Sequence, residues 1–131
     1  MPGKLTYRAG VTLSVLAVLF LIFDGVIKLL DLEMVRQSMA ELGYPVGIAV
    51  GIGVLELACL ALYVVPRTSV LGAVLLTGYL GGAIATHVRI ANPLFSHVLF
   101  PTYVAALLWG GLFLRDHRLR ALLPIRQTAL S

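Results

Sequence analysis

Five side chains in this sequence bear chemistry in apolar surroundings. Asp24 and Lys28 stand four residues apart, Glu56 sits alone in a long apolar run, and Tyr79 and His87 flank Ala83 at intervals of four. On an α-helix residues i and i+4 lie one above the other. Asp24 and Lys28 are therefore placed to pair, and Tyr79, Ala83 and His87 share a stripe. A carboxyl set in apolar surroundings can give or take a proton, and an imidazole exchanges one near neutrality. A phenol or an ammonium orients a carbonyl oxygen or an anion. Glu56, His87 and Asp24 are thus the candidate catalytic groups. Lys28, Tyr79, Thr86, Arg89, Asn92, His97 and Tyr103 are the candidate ligand-binding groups. Thr86 flanks the stripe, Arg89, Asn92 and His97 surround its end, and Tyr103 opens the last apolar segment.

The elements that must carry these groups follow from composition. Of 131 residues, 60% are hydrophobic and 12% charged. A soluble domain carries roughly 45–50% apolar and about 25% charged residues. Mean hydropathy is +0.98. So small a soluble domain could not hide that much apolar surface, so the sensible solvent is lipid. Intrinsic disorder is excluded, because it needs low hydrophobicity and high charge.

A membrane-spanning helix takes about 20 mostly apolar residues. Segments near 9–30, 46–65, 70–90 and 98–114 meet or approach that length, the last being the shortest. The expected fold is all-α, a four-helix transmembrane bundle forming a single domain over 1–131. In the stretch Asp31–Pro45, Val35, Met39 and Leu42 follow helical spacing, which predicts a short interfacial helix ended by Gly43-Tyr44-Pro45. Ser69 is a candidate helix cap after Pro66-Arg67-Thr68. Lys4 and Arg8 before an apolar run resemble a signal peptide. Phe23-Asp24-Gly25 follows without a small-x-small cleavage site, so the first span is read as uncleaved.

Lys and Arg near the span ends set orientation. One side receives seven (Lys4, Arg8, Arg67, Arg115, Arg118, Arg120, Arg126) and the other three (Lys28, Arg36, Arg89). Both termini are therefore expected in the cytoplasm of a multi-pass cell-membrane protein. The loops Asp31–Pro45 and Ala91–His97 should face outward, and the basic tail 115–131 should lie along the anionic inner leaflet.

Other functions are excluded by residue type. The single cysteine, Cys59, cannot form an intrachain disulfide or a Cys-x-x-Cys redox pair. No closely spaced metal ligands, glycine-rich phosphate loop or Gly-x-Ser-x-Gly elbow occurs. The net charge of +4 is not arranged as a basic stripe with interleaved aromatics, so nucleic acid is not expected as a partner.

A charge at the centre of a membrane helix costs roughly 2.5–3.5 kcal/mol on insertion scales. At 1.5 Å per residue Asp24 falls in the outer third of the first span, and Glu56 and Tyr79 near the middle of theirs. These groups should turn away from lipid. Asp24, Lys28, Glu56, Tyr79 and His87 are thereby expected to converge on one outward-opening cavity. Gly47 with Gly51, and Gly78 with Gly82, are four apart, a pattern that suits close helix packing within a bundle or a homodimer.

Several of these segments resemble the DoxX-like family. They are Gly25-x-x-Lys28-Leu29, Leu42-Gly43-Tyr44-Pro45, the glycine-rich Gly51-Ile52-Gly53-Val54-Leu55-Glu56-Leu57, and Ala83-Ile84-Ala85-Thr86-His87-Val88-Arg89. The resemblance runs from about residue 10 to 115 and implies a four-helix membrane fold. Lys28, Glu56 and His87 match the family pattern. It also implies association with membrane oxidoreductases, since some members are the small subunit of a thiosulfate:quinone oxidoreductase. Sterol isomerases and sigma-2-receptor-like proteins share the architecture of four helices with inward-facing acids.

Three functions stay open on the sequence. The chain could hold a lipophilic small molecule such as a quinone for an oxidoreductase partner. It could be a stand-alone acid–base enzyme, an isomerase or hydrolase, on a lipophilic substrate. It could be a small proton-coupled transporter, with Glu56 binding the proton or a cationic substrate.

Overall fold

In a computed structural model, residues 3–45 and 47–126 are described. The expected start of the second span at Val46 and the end of the basic tail, 127–131, lie outside them. The described residues form α1 (Lys4–Leu29), α2 (Glu33–Glu41), α3 (Ile48–Val64), α4 (Ser69–Arg89), α5 (Phe100–Arg115) and α6 (His117–Leu122). A 3₁₀ turn, Pro66–Thr68, joins α3 to α4, and a π-helical turn, Leu94–Val98, precedes α5. Three helical stretches, Lys4–Leu29, Pro66–Arg89 and Leu94–Arg115, are long and apolar enough to cross a membrane, and Ile48–Val64 is a shorter apolar helix.

The four long helices form a ring in the order α1, α3, α4, α5, with α5 closing back on α1. The inward faces mix small residues with a core of leucines and Tyr63. On α1 the buried positions are Gly10, Ser14, Ala17, Leu21 and Gly25, a stripe at helical spacing. Many large apolar side chains also turn outward, among them Leu19, Phe23, Val54 and Leu71, each more than half exposed. In water this arrangement would be inside out. In lipid, burial of large apolar groups gains little, and close backbone approach through small residues holds the helices together.

One close approach joins α1 to α5. A Cβ added at Gly111 would lie 2.0 Å from Ser14 Oγ and 2.9 Å from the Gly10 carbonyl; one at Gly10 would lie 2.8 Å from the Gly111 carbonyl. Gly72 makes a similar crossing on α3, where a Cβ would lie 2.3 Å from the Tyr63 nitrogen. The four-spaced glycines singled out in the sequence do otherwise. Nothing in the described structure comes within 4 Å of a Cβ placed at Gly47, Gly51, Gly78 or Gly82.

The short helix α2 ends in a Schellman motif. The Tyr44 N–H reaches the Met39 carbonyl, the Gly43 N–H reaches the Ala40 carbonyl, and Gly43 takes φ +84°. At its other end Arg36 donates to Asp31 at 2.8 Å, and this hydrogen bond holds the Asp31 carboxyl below the usual carboxylate range. Ser69 is the first residue of α4 and does not cap it. Its hydroxyl instead donates to the carbonyls of Tyr63 and Val65, binding the tight turn back onto α3. The tail helix α6 begins at Asp116, whose carboxylate accepts the Arg118 N–H at 3.0 Å.

Candidate functional site

Asp24 and Lys28 lie one turn apart near the end of α1, and the expected pair is formed, with Nζ to Oδ2 at 2.6 Å. The close fit of α1 on α3 brings the ammonium to the carboxylate of Glu56. A Cβ at Gly53 would lie 3.0 Å from both the Gly25 carbonyl and Lys28 Cβ, so a side chain here would force these neighbours to give way by a few tenths of an ångström. Lys28 Nζ donates to Glu56 Oε1 at 3.1 Å and to Tyr79 Oη at 2.5 Å. An ammonium has three N–H groups, and all three have acceptors. The Tyr79 hydroxyl, accepting from Lys28, donates its own proton to Glu56 Oε1 at 3.0 Å. Asp24, Lys28, Glu56 and Tyr79 thus form one network drawn from α1, α3 and α4. Glu56 is 0% exposed, and its Oε2 has no hydrogen-bond partner among the described residues.

A cavity of about 460 Å³ opens beside this network. Its polar wall is Asp24, Lys28, Tyr79, Thr86 and His87, and its apolar wall includes Ile27, Ile52, Leu55 and Ala83. Helix α2 and its following turn form the remaining side, through Met34, Val35, Ser38, Met39, Leu42 and Tyr44. Two ties fix that side to α4. Tyr44 Oη and Thr86 Oγ1 are 2.8 Å apart, and the Arg89 guanidinium donates to the Leu42 carbonyl.

The sequence-derived candidates therefore separate by location. Asp24, Lys28, Tyr79, Thr86 and His87 line the cavity, while Glu56 lies behind Lys28 and Tyr79 and touches it only through them. Arg89, Asn92, His97 and Tyr103 are not among its lining residues. Arg89 is occupied with the end of α2. Asn92 Nδ2 lies 2.6 Å from His87 Nδ1; an amide nitrogen can only donate, so Nδ1 accepts and a neutral His87 carries its proton on Nε2. His97 meets the His87 ring edge-on at 5.8 Å between centroids, with Nδ1 2.8 Å from Ser96 Oγ. Tyr103 donates to the Phe95 carbonyl at 3.0 Å, steadying the π-helical turn.

A second polar centre, not expected from the sequence, lies at the opposite end. Tyr63, 2% exposed, donates to the Leu108 carbonyl at 2.7 Å. Its single proton being used, the Ser14 hydroxyl 2.8 Å away must donate to it. Ser14 Oγ in turn accepts from Arg115 at 3.1 Å. The chain Arg115, Ser14, Tyr63, Leu108 spans α1, α3 and α5.

Chemically, the cavity can set a polar group beside His87 and the Asp24–Lys28 pair and let the apolar bulk fill the rest. No curated protein and no solved structure matches this chain. It does match the DoxX-like family over residues 12–111. That match covers most of the 131 residues and joins with three helices of membrane-crossing length, so the chain is a multi-pass membrane protein and belongs to the DoxX-like family.

Proposed function

We propose that this protein binds a lipophilic small molecule, quinone-like in having polar oxygens on an apolar body, in the cavity between α2 and the Asp24–Lys28–Glu56–Tyr79 network. The observation that carries the reading is the cavity itself. Its volume of about 460 Å³ lies within the range of roughly 300–1,000 Å³ typical of small-molecule sites. Its lining is mostly apolar, with the charged groups Asp24 and Lys28 and the imidazole of His87 on the wall formed by α1 and α4. In this reading His87 Nε2 donates to a ligand oxygen, and Lys28, its N–H groups taken by Asp24, Glu56 and Tyr79, acts on the ligand only through its charge. Glu56 sets the position of both Lys28 and Tyr79 from behind. Family membership supports placing the bound molecule beside a membrane oxidoreductase, to which this chain would present it. Both termini are proposed to be cytoplasmic, on the count of basic residues at the span ends.

The test is binding of a short-tailed quinone to the purified chain in detergent, read by calorimetry. The expected result is saturable binding that Ala83→Trp, which fills the cavity, abolishes. Leu71→Ala, at an exposed position outside the cavity lining, should leave binding within a few-fold. Equal binding by the wild type and Ala83→Trp would sink the proposal.

A further inference from the structure

The second polar centre has a cavity of its own, of about 240 Å³. It lies where α1 meets α3, at the end of the bundle that holds Arg115. Val11, Val15, Val18 and Leu19 of α1 and Val64 of α3 form its apolar part; Ser14, Tyr63 and Arg115 form its polar part. From Val11 to Leu19 the groove follows α1 for about 12 Å, the reach of several methylenes of an extended acyl chain. Val15 and Val64 are about half exposed, so the groove lies open at the surface of the bundle.

Arg115 is placed for an anion. Its guanidinium has five N–H groups, one of which goes to Ser14. Nε is buried and has no acceptor among the described residues. The acid next to it in sequence, Asp116, is engaged with Arg118. The Arg115 stem packs over the Gly10–Gly111 crossing, since a Cβ at Gly10 would lie 2.7 Å from Arg115 Cγ. Lys4, Arg8, Arg118 and Arg120 lie toward the same end in the chain, so zwitterionic head groups should be disfavoured relative to net-negative ones.

We propose that this groove is a site for an anionic phospholipid of the adjoining leaflet. The phosphate takes the free N–H groups of Arg115, and one acyl chain lies between Val11, Val15, Val18 and Leu19. The geometry suits this because a planar guanidinium engages two phosphate oxygens at once. The site is remote from the cavity beside Lys28, and the inference does not rest on the function proposed for that cavity.

The experiment uses the full chain, delipidated in detergent, with binding of short-chain phosphatidylglycerol, phosphatidylcholine and palmitate measured by native mass spectrometry. Phosphatidylglycerol should bind at one saturable site, and phosphatidylcholine more weakly. Arg115→Gln should weaken phosphatidylglycerol by about tenfold to a hundredfold, the range for losing a charge-assisted hydrogen bond. Val15→Trp, which fills the groove from an exposed position and leaves the charge in place, should weaken it comparably and provides the readout if Arg115→Gln does not fold. Equal affinity for the two phospholipids, or no change in either variant, overturns the proposal. Palmitate binding as tightly as phosphatidylglycerol overturns the phospholipid as occupant.

Discussion

Lys28 is the hub of the first network, and its removal exposes the electrostatics. With it, two carboxylates share one ammonium. Without it, Asp24 and Glu56 face each other in low dielectric with no cation between them. Breaking a buried ion pair by deleting one partner costs about 3–5 kcal/mol. Lys28→Met should therefore lower stability by about that amount, measured by thermal unfolding in detergent. Adding Glu56→Gln to Lys28→Met should recover part of the loss, because it removes one uncompensated charge and leaves a group that still accepts from Tyr79. A double variant no more stable than Lys28→Met would show that Glu56 is not coupled to Lys28. The sequence made this cluster legible. Asp24 and Lys28 are neighbours on one helix, and an acid such as Glu56 in an apolar span has nowhere to turn but inward. Ser14, Tyr63 and Arg115 were not legible, because no pair of them shares a helix. Nothing in the sequence marks a partner for Tyr63, and only the packing of α1 on α3 and α5 places Ser14 and Arg115 beside it.

At the scale of elements, α2 was readable from Val35, Met39 and Leu42 and from the turn after it; Val35 is buried as that spacing requires. Its role was not readable, since its ties to α4 run through Tyr44, Thr86 and Arg89 across more than 40 residues of chain. These ties predict a cooperative wall. Arg89→Ala should raise amide hydrogen exchange in Glu33–Glu41 while leaving the middle of α4 protected; unchanged exchange in α2 would show that the Leu42 contact holds nothing. The end of α4 offers a separate test. It closes with the Asn92 N–H on the His87 carbonyl and the Ala91 N–H on the Val88 carbonyl, with Ala91 at φ +57°. A non-glycine residue in this left-handed conformation costs roughly 1–2 kcal/mol. Ala91→Gly should therefore stabilise the protein, by about 1 kcal/mol after the entropy that glycine loses on folding. The glycine spacings read from the sequence, which suited a tight bundle or a homodimer, do not mark where helices of this chain touch one another. A four-residue spacing fixes a face but not which neighbour covers it, and the in-chain crossings use Gly10, Gly53, Gly72 and Gly111 instead.

Across the whole molecule the two polar centres occupy opposite ends of one apolar core. Asp24 and Ser14 are ten residues apart on α1, about 15 Å along its axis. Between the two centres the ring is filled by Ala17, Leu21, Leu60, Leu76 and Leu108, all at most 3% exposed. No hydrogen bond found among the described residues joins one network to the other. Each network ties three helices together at its own end, so each should contribute to stability by itself. Sites more than about 7–10 Å apart without shared partners usually add within roughly 0.3–0.5 kcal/mol. The combined variant Lys28→Met/Arg115→Gln should therefore lose the sum of the two single losses to within that margin, measured by unfolding in one detergent. A coupling well above it would mean that the ring of helices transmits strain from end to end. In that case a ligand held beside Lys28 and a lipid held by Arg115 would sense one another through α1, whereas additivity assigns the two ends independent binding.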